Sequence, residues 1–273
     1  MINKPYPTLD ELLIMVGDAG KHLSEIGASE GTAGNISVCL RWDVRPDKIF
    51  SVCETIELPQ IVPELKGATF VVTGSGGRLR EIIDNPSANL ACLVVNEGGK
   101  TAKLYTAPER KFHHVTSEFN SHLAVHYDRM VSRNTNFHAI IHTHPPYLTY
   151  LSHIPRYQNT GYLNRHILRW QPEMIVNLPE GVGFAPFELP ASSRLVSVNV
   201  DLLRQHHIVV WAKHGVMARS DSSLKHAADR TEYAETGARY EYLNLTTCEI
   251  ATGLAPDEIR AICQAFKVQQ SIF

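Results

Sequence analysis

The sequence has little of several features that mark particular classes of protein. Only five of its 273 residues are cysteine, and none forms a Cys-x-x-Cys pair, which argues against a disulfide framework and against zinc sites built from paired cysteines. No apolar run reaches the roughly 20 residues that a membrane-spanning helix needs, and no apolar stretch near the N-terminus is typical of a secretion signal. We therefore expect a cytoplasmic protein with reduced, buried thiols at Cys39, Cys53, Cys92, Cys248 and Cys263.

The sequence also lacks an excess of charge of either sign. It has 26 lysines and arginines against 28 aspartates and glutamates, which gives a formal net charge of −2. A broad basic field is therefore absent, and we expect neither nucleic acid nor a membrane as partner. The mononucleotide and dinucleotide glycine fingerprints and the His-Glu-x-x-His motif of zinc proteases are absent too.

The hydrophobic patterning predicts helices and strands mixed along the whole chain. The first predicted helix begins at Leu9 and ends before Gly27. Further predicted helices cover 117–130, 192–205, 222–245 and 256–266. The predicted strands cover 36–40, 69–73, 90–95, 103–106, 138–142, 174–178 and 207–211. A polar stretch without clear periodicity separates Leu40 from Ala68. No repeat or linker divides the sequence, so we expect residues 1–273 to form a single domain with three α/β/α layers.

Three histidines stand at the ends of predicted strands. His142 and His144 close the strand 138–142, and His214 follows the strand 207–211. Side chains two residues apart on a strand point to the same face, so the first two imidazoles can bind one ion. Three histidines with an open fourth position are typical of a catalytic zinc site. The pattern predicts one Zn²⁺ per chain at these residues.

Two other interpretations of the histidines stay open at this point. The chain has 14 histidines, so a single His-x-His pair can arise by chance. His122 and His126 form a rival pair, because residues four apart share one face of a helix. The glutamate that accompanies such a pair in zinc proteases is missing here.

Three short polar segments are candidates for binding a phosphate group. Gly34-Asn35 enters a predicted strand, Ser75-Gly76 follows the strand 69–73, and Thr116-Ser117 opens a predicted helix. Exposed backbone N–H groups, hydroxyls and helix N-termini all bind anions. The alternatives are an ordinary connecting loop, a tight turn and a helix cap, respectively.

Two glutamates are candidates for acid and base chemistry. Glu118 stands at the same helix start as the hydroxyls of Thr116 and Ser117. The alternative is a structural role, because a carboxylate at a helix N-terminus interacts favourably with the helix dipole. Glu173 stands at the start of the predicted strand 174–178, where an exposed glutamate is the ordinary alternative.

Taken together and in this order, the glycine-rich segments, Thr116-Ser117-Glu118 and the three histidines resemble the class II aldolase/adducin superfamily. The resemblance covers nearly the whole chain and is greatest to the L-rhamnulose-1-phosphate aldolase subgroup, which Asp84–Leu90 and Leu178–Gly183 also resemble. It implies a central, largely antiparallel mixed sheet within the three-layer fold.

The resemblance further implies the zinc-dependent cleavage of a ketose 1-phosphate, L-rhamnulose 1-phosphate, to dihydroxyacetone phosphate and L-lactaldehyde through a metal-stabilised enediolate. Glu118 would move the proton at the nucleophilic carbon, with Glu173 as a second candidate. The phosphate would lie among the candidate segments, at Gly34, Asn35, Ser75, Gly76, Thr116 and Ser117.

Other members of the superfamily provide the alternatives. They are an aldolase for another sugar phosphate, an epimerase, a dehydratase, or a non-catalytic scaffold like the adducin head. The epimerases of the family carry aspartate where this chain has Glu118, and the intact histidines speak against the scaffold. The resemblance also implies a homotetramer, in which the tail 245–273 would either cover a neighbour's active site or pack on its own domain.

Overall fold

A single nine-stranded sheet forms the centre of the protein. The computed structural model describes residues 1–247 and 249–273. The strands are β1 (Asn35–Leu40), β2 (Val52–Glu57), β3 (Thr69–Thr73), β4 (Leu90–Val95), β5 (Thr101–Thr106), β6 (Phe137–Thr143), β7 (Gly183–Ala185), β8 (Ile208–Trp211) and β9 (Gly215–Ser220). Their order across the sheet is β2-β5-β4-β3-β1-β6-β9-β8-β7. Every pairing is antiparallel except that of β7 with β8.

Helices cover both faces of this sheet. They are α1 (Leu9–Glu25), α2 (Pro86–Asn89), α3 (Phe119–Ser132), α4 (Pro146–Leu151), α5 (Thr160–Ile167), α6 (Pro172–Asn177), α7 (Ser193–Gln205), α8 (Leu224–Thr246) and α9 (Pro256–Phe266). The larger core joins α1, α4, α5, α6, α8 and α9 to one face of the sheet. Two smaller cores join α3 and α7 to the other face. The predicted three-layer fold with a largely antiparallel mixed sheet is confirmed.

Strand alternation divides the central strands between the two cores. In β1, Ile36, Val38 and Leu40 belong to the larger core. The side chains of Asn35 and Ser37 therefore point to the opposite face, towards α3. Since that opposite face carries polar residues and yet is covered by a helix, its side chains must find hydrogen-bond partners within the protein.

The antiparallel order brings distant parts of the sequence to one edge of the sheet. Asn35, which begins β1, pairs with His142 near the end of β6. Thr143 at the end of β6 pairs with Val216 at the start of β9, and β3 ends beside the start of β1. The segments that carry the candidate site residues therefore meet at this edge, although more than 170 residues separate the first from the last.

One secondary-structure prediction is wrong, and several elements were not predicted. Residues 174–178, predicted as a strand, belong largely to helix α6, which Pro172 opens at its first position and which packs on α8 and α9. A short apolar run fits a buried strand and a buried helix turn equally well, so tertiary packing decided between them. The polar stretch after Leu40 contains the edge strand β2, whose exposed residues have no alternating pattern to detect.

The cysteine prediction is partly wrong. Cys39 and Cys92 are buried free thiols, but Cys53 is exposed on the edge strand β2 and Cys263 is only partly buried on α9. Cys248 lies outside the described residues. No helix within residues 1–247 and 249–273 is long and apolar enough to cross a membrane.

The C-terminal tail contacts its own chain. Ile259 of α9 is buried, and the backbone N–H of Leu254 donates to the carbonyl of Arg169 at 2.7 Å. Ile250 and Phe266 remain largely exposed, with 85% and 62% of their surface accessible. The tail therefore packs on its own domain in part and leaves apolar side chains available for a partner.

Candidate metal centre and phosphate cavity

The three strand-end histidines meet at the sheet edge. The ring centroids of His142, His144 and His214 lie 5.0 to 5.1 Å from one another. One ligand atom from each ring lies within 4.8 Å of the others, and the described residues contain no second group of this kind. Three ring nitrogens this close together could hold one metal ion.

His142 is held rigidly from two sides. Its Nδ1 donates to the carbonyl oxygen of Val216 at 2.8 Å, and Trp211 stacks on its ring with the centroids 4.5 Å apart. Trp211 is fixed in turn, because its Nε1 donates to Oδ1 of Asn199 at 2.9 Å. The Nδ1 bond leaves the lone pair on Nε2, which is the arrangement that metal-binding histidines use.

His144 has an equivalent arrangement with a carboxylate. Its Nδ1 donates to Oε1 of Glu30 at 2.8 Å, and its backbone N–H donates to the carbonyl of Ala28 at 2.8 Å. The Nε2 atoms of His142 and His144 then face each other as two lone pairs 3.2 Å apart. Two facing lone pairs repel, and a bound cation relieves this repulsion. The donor set therefore fits a divalent metal ion.

His214 belongs to the tight turn between β8 and β9. Its backbone N–H donates to the carbonyl of Trp211 at 3.0 Å. The next residue, Gly215, has no room for a side chain, because an added Cβ would lie 2.4 Å from the carbonyl of Thr143 and 2.6 Å from Cδ2 of His144. The close packing of this turn against the end of β6 brings the third ring to the other two.

Burial favours the neutral imidazole form of His142 and His214. The pKa of His142 is lowered well below its usual range, first by burial and then by the neighbouring His144 and His214. The pKa of His214 is lowered too, mainly by burial. Neutral imidazole is the form that binds a metal, so the environment favours the binding-competent state.

The rival helical pair has a different role in the fold. His122 and His126 lie on the face of α3 that is turned to the sheet, where both rings are buried and both contact the hydroxyl of Ser37. They are not part of any three-residue metal group among the described residues. The i, i+4 spacing identified a shared helix face correctly, but the packing of α3 directs that face to β1.

We expect Glu30→Gln to weaken zinc binding by roughly tenfold, since removing an outer partner of a metal-bound histidine typically costs 10–100-fold in affinity. The lower value is expected because the Glu30 side chain is 66% exposed. Zinc titration against a competing chelator measures the effect. Glu25→Gln, which alters an exposed carboxylate on α1, is the control, and an equal dissociation constant for both variants would contradict the prediction.

A cavity of about 360 Å³ opens beside the histidines. Its lining includes every residue predicted to bind phosphate, together with Glu118 and the three histidines. The full lining is Thr32, Ala33, Gly34, Asn35, Gly74, Ser75, Gly76, Thr116, Ser117, Glu118, His142, His144, Pro190 and His214. The structure thus brings the candidate phosphate segments and the candidate metal ligands to one place. No lysine or arginine belongs to this lining, so only neutral donors are available to an anion there.

Backbone hydrogen bonds join two of the phosphate segments. The N–H of Ser75 donates to the carbonyl of His114 at 2.8 Å, and that of Thr116 donates to the carbonyl of Thr73 at 3.0 Å. Helix α3 begins directly after Glu118, so its positive N-terminal end points towards the cavity. This arrangement of hydroxyls at a helix N-terminus suits a phosphate group.

Glu118 lies between the histidines and the phosphate segments. One of its carboxylate oxygens, Oε2, is 3.3 Å from Nε2 of His142, and the other is 3.9 Å from Nε2 of His214. The side chain is buried and receives a 2.9 Å hydrogen bond from Nδ2 of Asn35. The carboxylate is therefore fixed beside the position where the three rings converge.

Asn35 is more constrained than its predicted phosphate role requires. Its Nδ2 donates to Glu118, and its Oδ1 contacts Nε2 of His122 at 2.5 Å. One amide N–H remains for a ligand. Gly34, which precedes it, has a φ of +90°, and an added Cβ would lie 3.0 Å from the carbonyl of His142, so glycine is required at this position.

Glu173 is not part of this cavity. It is exposed near the N-terminus of α6, because the residues that follow it form a helix and not the predicted strand. Its part in the reaction stays a prediction. Glu30 had no predicted role of its own, and nothing in the local sequence indicated its contact with His144, 114 residues away.

Comparison with known proteins gives one family and several relatives. Residues 15–242 match the family described as the Class II Aldolase and Adducin N-terminal domain. The chain is 31% identical over 216 residues to rhamnulose-1-phosphate aldolase of Yersinia pestis, which covers 78% of this chain and 77% of the relative. It is 28% identical over 218 residues to rhamnulose-1-phosphate aldolase of Bacteroides thetaiotaomicron, with 78% of both chains covered.

Solved structures show the same fold. The chain is similar to a sugar-phosphate aldolase from Thermotoga maritima, with a TM-score of 0.75, 27% identity and coverage of 90% of this chain and 99% of that one. It also aligns with an L-fuculose 1-phosphate aldolase at a TM-score of 0.59 over 97% of this chain and all of the other. The identity of 19% in the second case supports a likeness of fold alone.

Proposed function

Because the chain belongs to the family of class II aldolases and adducin N-terminal domains, we propose that it is a zinc-dependent aldolase that cleaves L-rhamnulose 1-phosphate to dihydroxyacetone phosphate and L-lactaldehyde. The observation that carries this proposal is the single cavity shared by three converging histidines, a buried carboxylate and the phosphate segments. The relatives that bear the name of this enzyme, at 28–31% identity, support the choice of sugar.

The reaction would proceed without a covalent intermediate on the protein, since no lysine lines the cavity. His142, His144 and His214 would hold one zinc ion per chain. When bound, this ion supplies Lewis-acid stabilisation of the negative charge that develops on the substrate oxygens as the carbon–carbon bond breaks.

Glu118 would act as the acid and base. Its carboxylate lies within 4 Å of two of the three rings, so a substrate carbon held beside them is within its reach. In the cleavage direction, one proton leaves the hydroxyl group that becomes the aldehyde oxygen, and one proton is added to the carbon that becomes the hydroxymethyl group of dihydroxyacetone phosphate. Glu118 would deliver the proton to that carbon in cleavage and remove it in synthesis. Burial excludes bulk water from the carboxylate and limits competing proton exchange.

The phosphate would be bound by the neutral donors of Ser75, Gly76, Thr116 and Ser117, with the remaining N–H of Asn35 at the edge. Since the phosphate does not take part in the bond cleavage, its binding would fix the position of the reacting carbons. The same loops would disfavour ketoses without a phosphate, because the polar groups of the loops would then lack a partner.

The proposed reaction is tested by incubating the purified protein with dihydroxyacetone phosphate and a panel of small aldehydes, with and without a chelator. We expect L-lactaldehyde to be the best acceptor, and the chelator to abolish the condensation. Preference for another aldehyde would identify a different sugar-phosphate aldolase. Epimerisation or dehydration of a ketose phosphate without cleavage, or absence of any bound metal, would contradict the proposal.

We expect Ser75→Ala to raise KM for the ketose 1-phosphate by about tenfold or more, because a hydrogen bond to a charged group contributes about 1.5–3 kcal/mol. The KM for the unphosphorylated ketose should hardly change. Kinetics on both substrates measure the difference, and Ser132→Ala, an exposed serine at the other end of α3, is the matched control. Equal losses on both substrates would assign this loop another role.

The assembly and location are proposed on the same basis. We expect residues 1–273 to act as one catalytic domain in a cytoplasmic homotetramer. The exposed apolar side chains of the tail, Ile250 and Phe266, offer contact surface for a neighbouring subunit. Light scattering at micromolar concentration tests the assembly, and an active monomer near 30.5 kDa would contradict it.

A further inference from the structure

A continuous line of buried polar side chains leads from Glu118 into the protein between α3 and the sheet. After Asn35, it continues through four residues that we call the histidine chain: His122, Ser37, His126 and His138. All four are completely buried, with none of their surface accessible. His122 and His126 were predicted only as a rival metal pair, and the proposed reaction does not use any of the four residues.

Each contact along this line is short. Nε2 of His122 lies 2.5 Å from Oδ1 of Asn35, and its Nδ1 lies 2.6 Å from the hydroxyl of Ser37. The same hydroxyl lies 2.7 Å from Nε2 of His126. Nδ1 of His126 lies 2.8 Å from Nδ1 of His138. Every neighbouring pair therefore shares one hydrogen, and assigning one donor determines the next.

The assignment begins at Glu118. A carboxylate only accepts hydrogen bonds, so the Asn35 atom that faces it must be the amide nitrogen. The amide oxygen then faces His122, which must carry its hydrogen on Nε2. A neutral ring has one N–H, so Nδ1 of His122 accepts from Ser37.

The same argument extends to the far end. Since the Ser37 hydrogen points to His122, the serine oxygen accepts from Nε2–H of His126. Nδ1 of His126 then accepts from Nδ1–H of His138. All donors along the histidine chain consequently point towards Glu118, a polarisation that strengthens each bond in a low-dielectric interior.

The rings have the neutral form that this assignment needs. Burial lowers the pKa of His122 to about 3. It lowers the pKa of His126 and His138 well below the usual range, and for His138 the guanidinium groups of Arg219 and Arg129 add to the effect.

The last nitrogen, Nε2 of His138, has no hydrogen-bond partner among the described residues, and the nearest carboxylate oxygen, on Asp221, is 3.8 Å away. The chain direction determines whether this nitrogen is bare or protonated. A bare acceptor without a partner is more common in protein interiors than an unpaired N–H. The assignment that begins at Glu118 leaves Nε2 of His138 without a hydrogen. The environment of His138 and that of Glu118 therefore favour the same direction of hydrogen-bond donation.

We propose that the histidine chain is a positioning device which fixes the Asn35 amide with its NH₂ group towards Glu118 and so holds the Glu118 carboxylate beside the three metal-site histidines. The positions of the hydrogens follow from the fold alone, whereas the effect on turnover rests on the proposed aldolase function. None of the four residues touches the cavity, so they would act only through Asn35 and Glu118.

Neutron diffraction from crystals of the protein exchanged into D₂O tests the direction of the chain. We expect deuterium on Nε2 of His122, on Nε2 of His126 and on Nδ1 of His138. The reverse pattern, with deuterium on Nδ1 of both helical histidines and on Nε2 of His138, would overturn the proposal. This measurement needs neither substrate nor activity. It therefore decides the direction of the hydrogen bonds even if the proposed reaction proves wrong.

Ser37→Ala tests whether the chain affects the reaction. It removes the hydroxyl that joins His122 to His126, and we expect kcat to fall by roughly tenfold, as is usual for the loss of an outer positioning contact. KM and zinc content should remain close to those of the unchanged protein.

Ser121→Ala is the matched control, because Ser121 is a buried serine on α3 whose hydroxyl has no partner among the described residues. A merely structural role for Ser37 would lower thermal stability and leave kcat at the control value, which would overturn the proposed effect on turnover. If Ser37→Ala does not fold, the neutron map of the unchanged protein still decides the orientation of Asn35.

Discussion

Glu118→Gln is expected to lower kcat for carbon–carbon cleavage by roughly 10²–10⁴, the usual loss when a general acid or base is removed. Glutamine has nearly the same shape, and its side-chain oxygen can still accept the hydrogen bond from Asn35. The fold and the zinc content should therefore be retained. The loss should appear in kcat more than in KM, because the proton transfer takes place after the substrate has bound.

Steady-state kinetics together with elemental analysis check this prediction. Glu97→Gln, which changes an exposed glutamate paired with Lys66, is the control and should have normal kcat. If Glu118→Gln retains nearly full activity with normal zinc, the acid and base role belongs elsewhere. Glu173→Gln would then be the next variant to measure, within the assembled oligomer.

His214→Ala is expected to reduce both zinc content and turnover. The ring is partly exposed, with 18% of its side chain accessible, and its Nδ1 has no partner in the described part of the chain, so its removal should disturb little of the fold. Lewis-acid stabilisation contributes several kcal/mol to the transition state, and its loss corresponds to a decrease in kcat of about 10³-fold or more.

Elemental analysis and kinetics on the same preparation measure both effects. His113→Ala, at an exposed position outside the cavity lining, is the control. Treatment of the unchanged protein with a chelator should reproduce the loss, and added zinc should restore activity there but not in His214→Ala at the same concentration. Full zinc content with unchanged kcat in the variant would remove His214 from the site.

The two predictions separate the contributions of neighbouring groups. Glu118 lies within 4 Å of His142 and His214, and we expect either substitution to remove most of the activity. Only the histidine substitution should remove the metal. If Glu118→Gln also loses zinc, Glu118 contributes directly to metal binding and is not a separate acid or base.

Local sequence alone was sufficient for much of the site. His142 and His144 were identifiable because strand alternation puts residues two apart on one face, which does not depend on the rest of the fold. The candidate phosphate segments were identifiable because glycine and hydroxyl residues at the ends of predicted elements are typical of anion-binding loops and helix starts. Helix α1 was predicted for a similar reason, since its capping box at Thr8 is encoded within four residues.

The tertiary structure decided what these local patterns left open. The i, i+4 spacing of His122 and His126 fits a metal pair and a buried contact equally well, and only the packing of α3 on β1 placed both rings against Ser37. The run 174–178 has the composition of a strand, but Pro172 and the contacts with α8 and α9 made it a helix. That helix left Glu173 exposed.

The site as a whole is a product of strand order. Asn35, Glu118 and His142 stand far apart in the sequence, and no local pattern indicates that they meet. They meet because β1 and β6 run antiparallel with Asn35 opposite His142, and because α3 begins beside the same edge. Local sequence patterns were enough to identify the side chains that could bind a metal or a phosphate. Long-range strand pairing brought these side chains to one cavity, because the burial of strand faces sets the register of the paired strands.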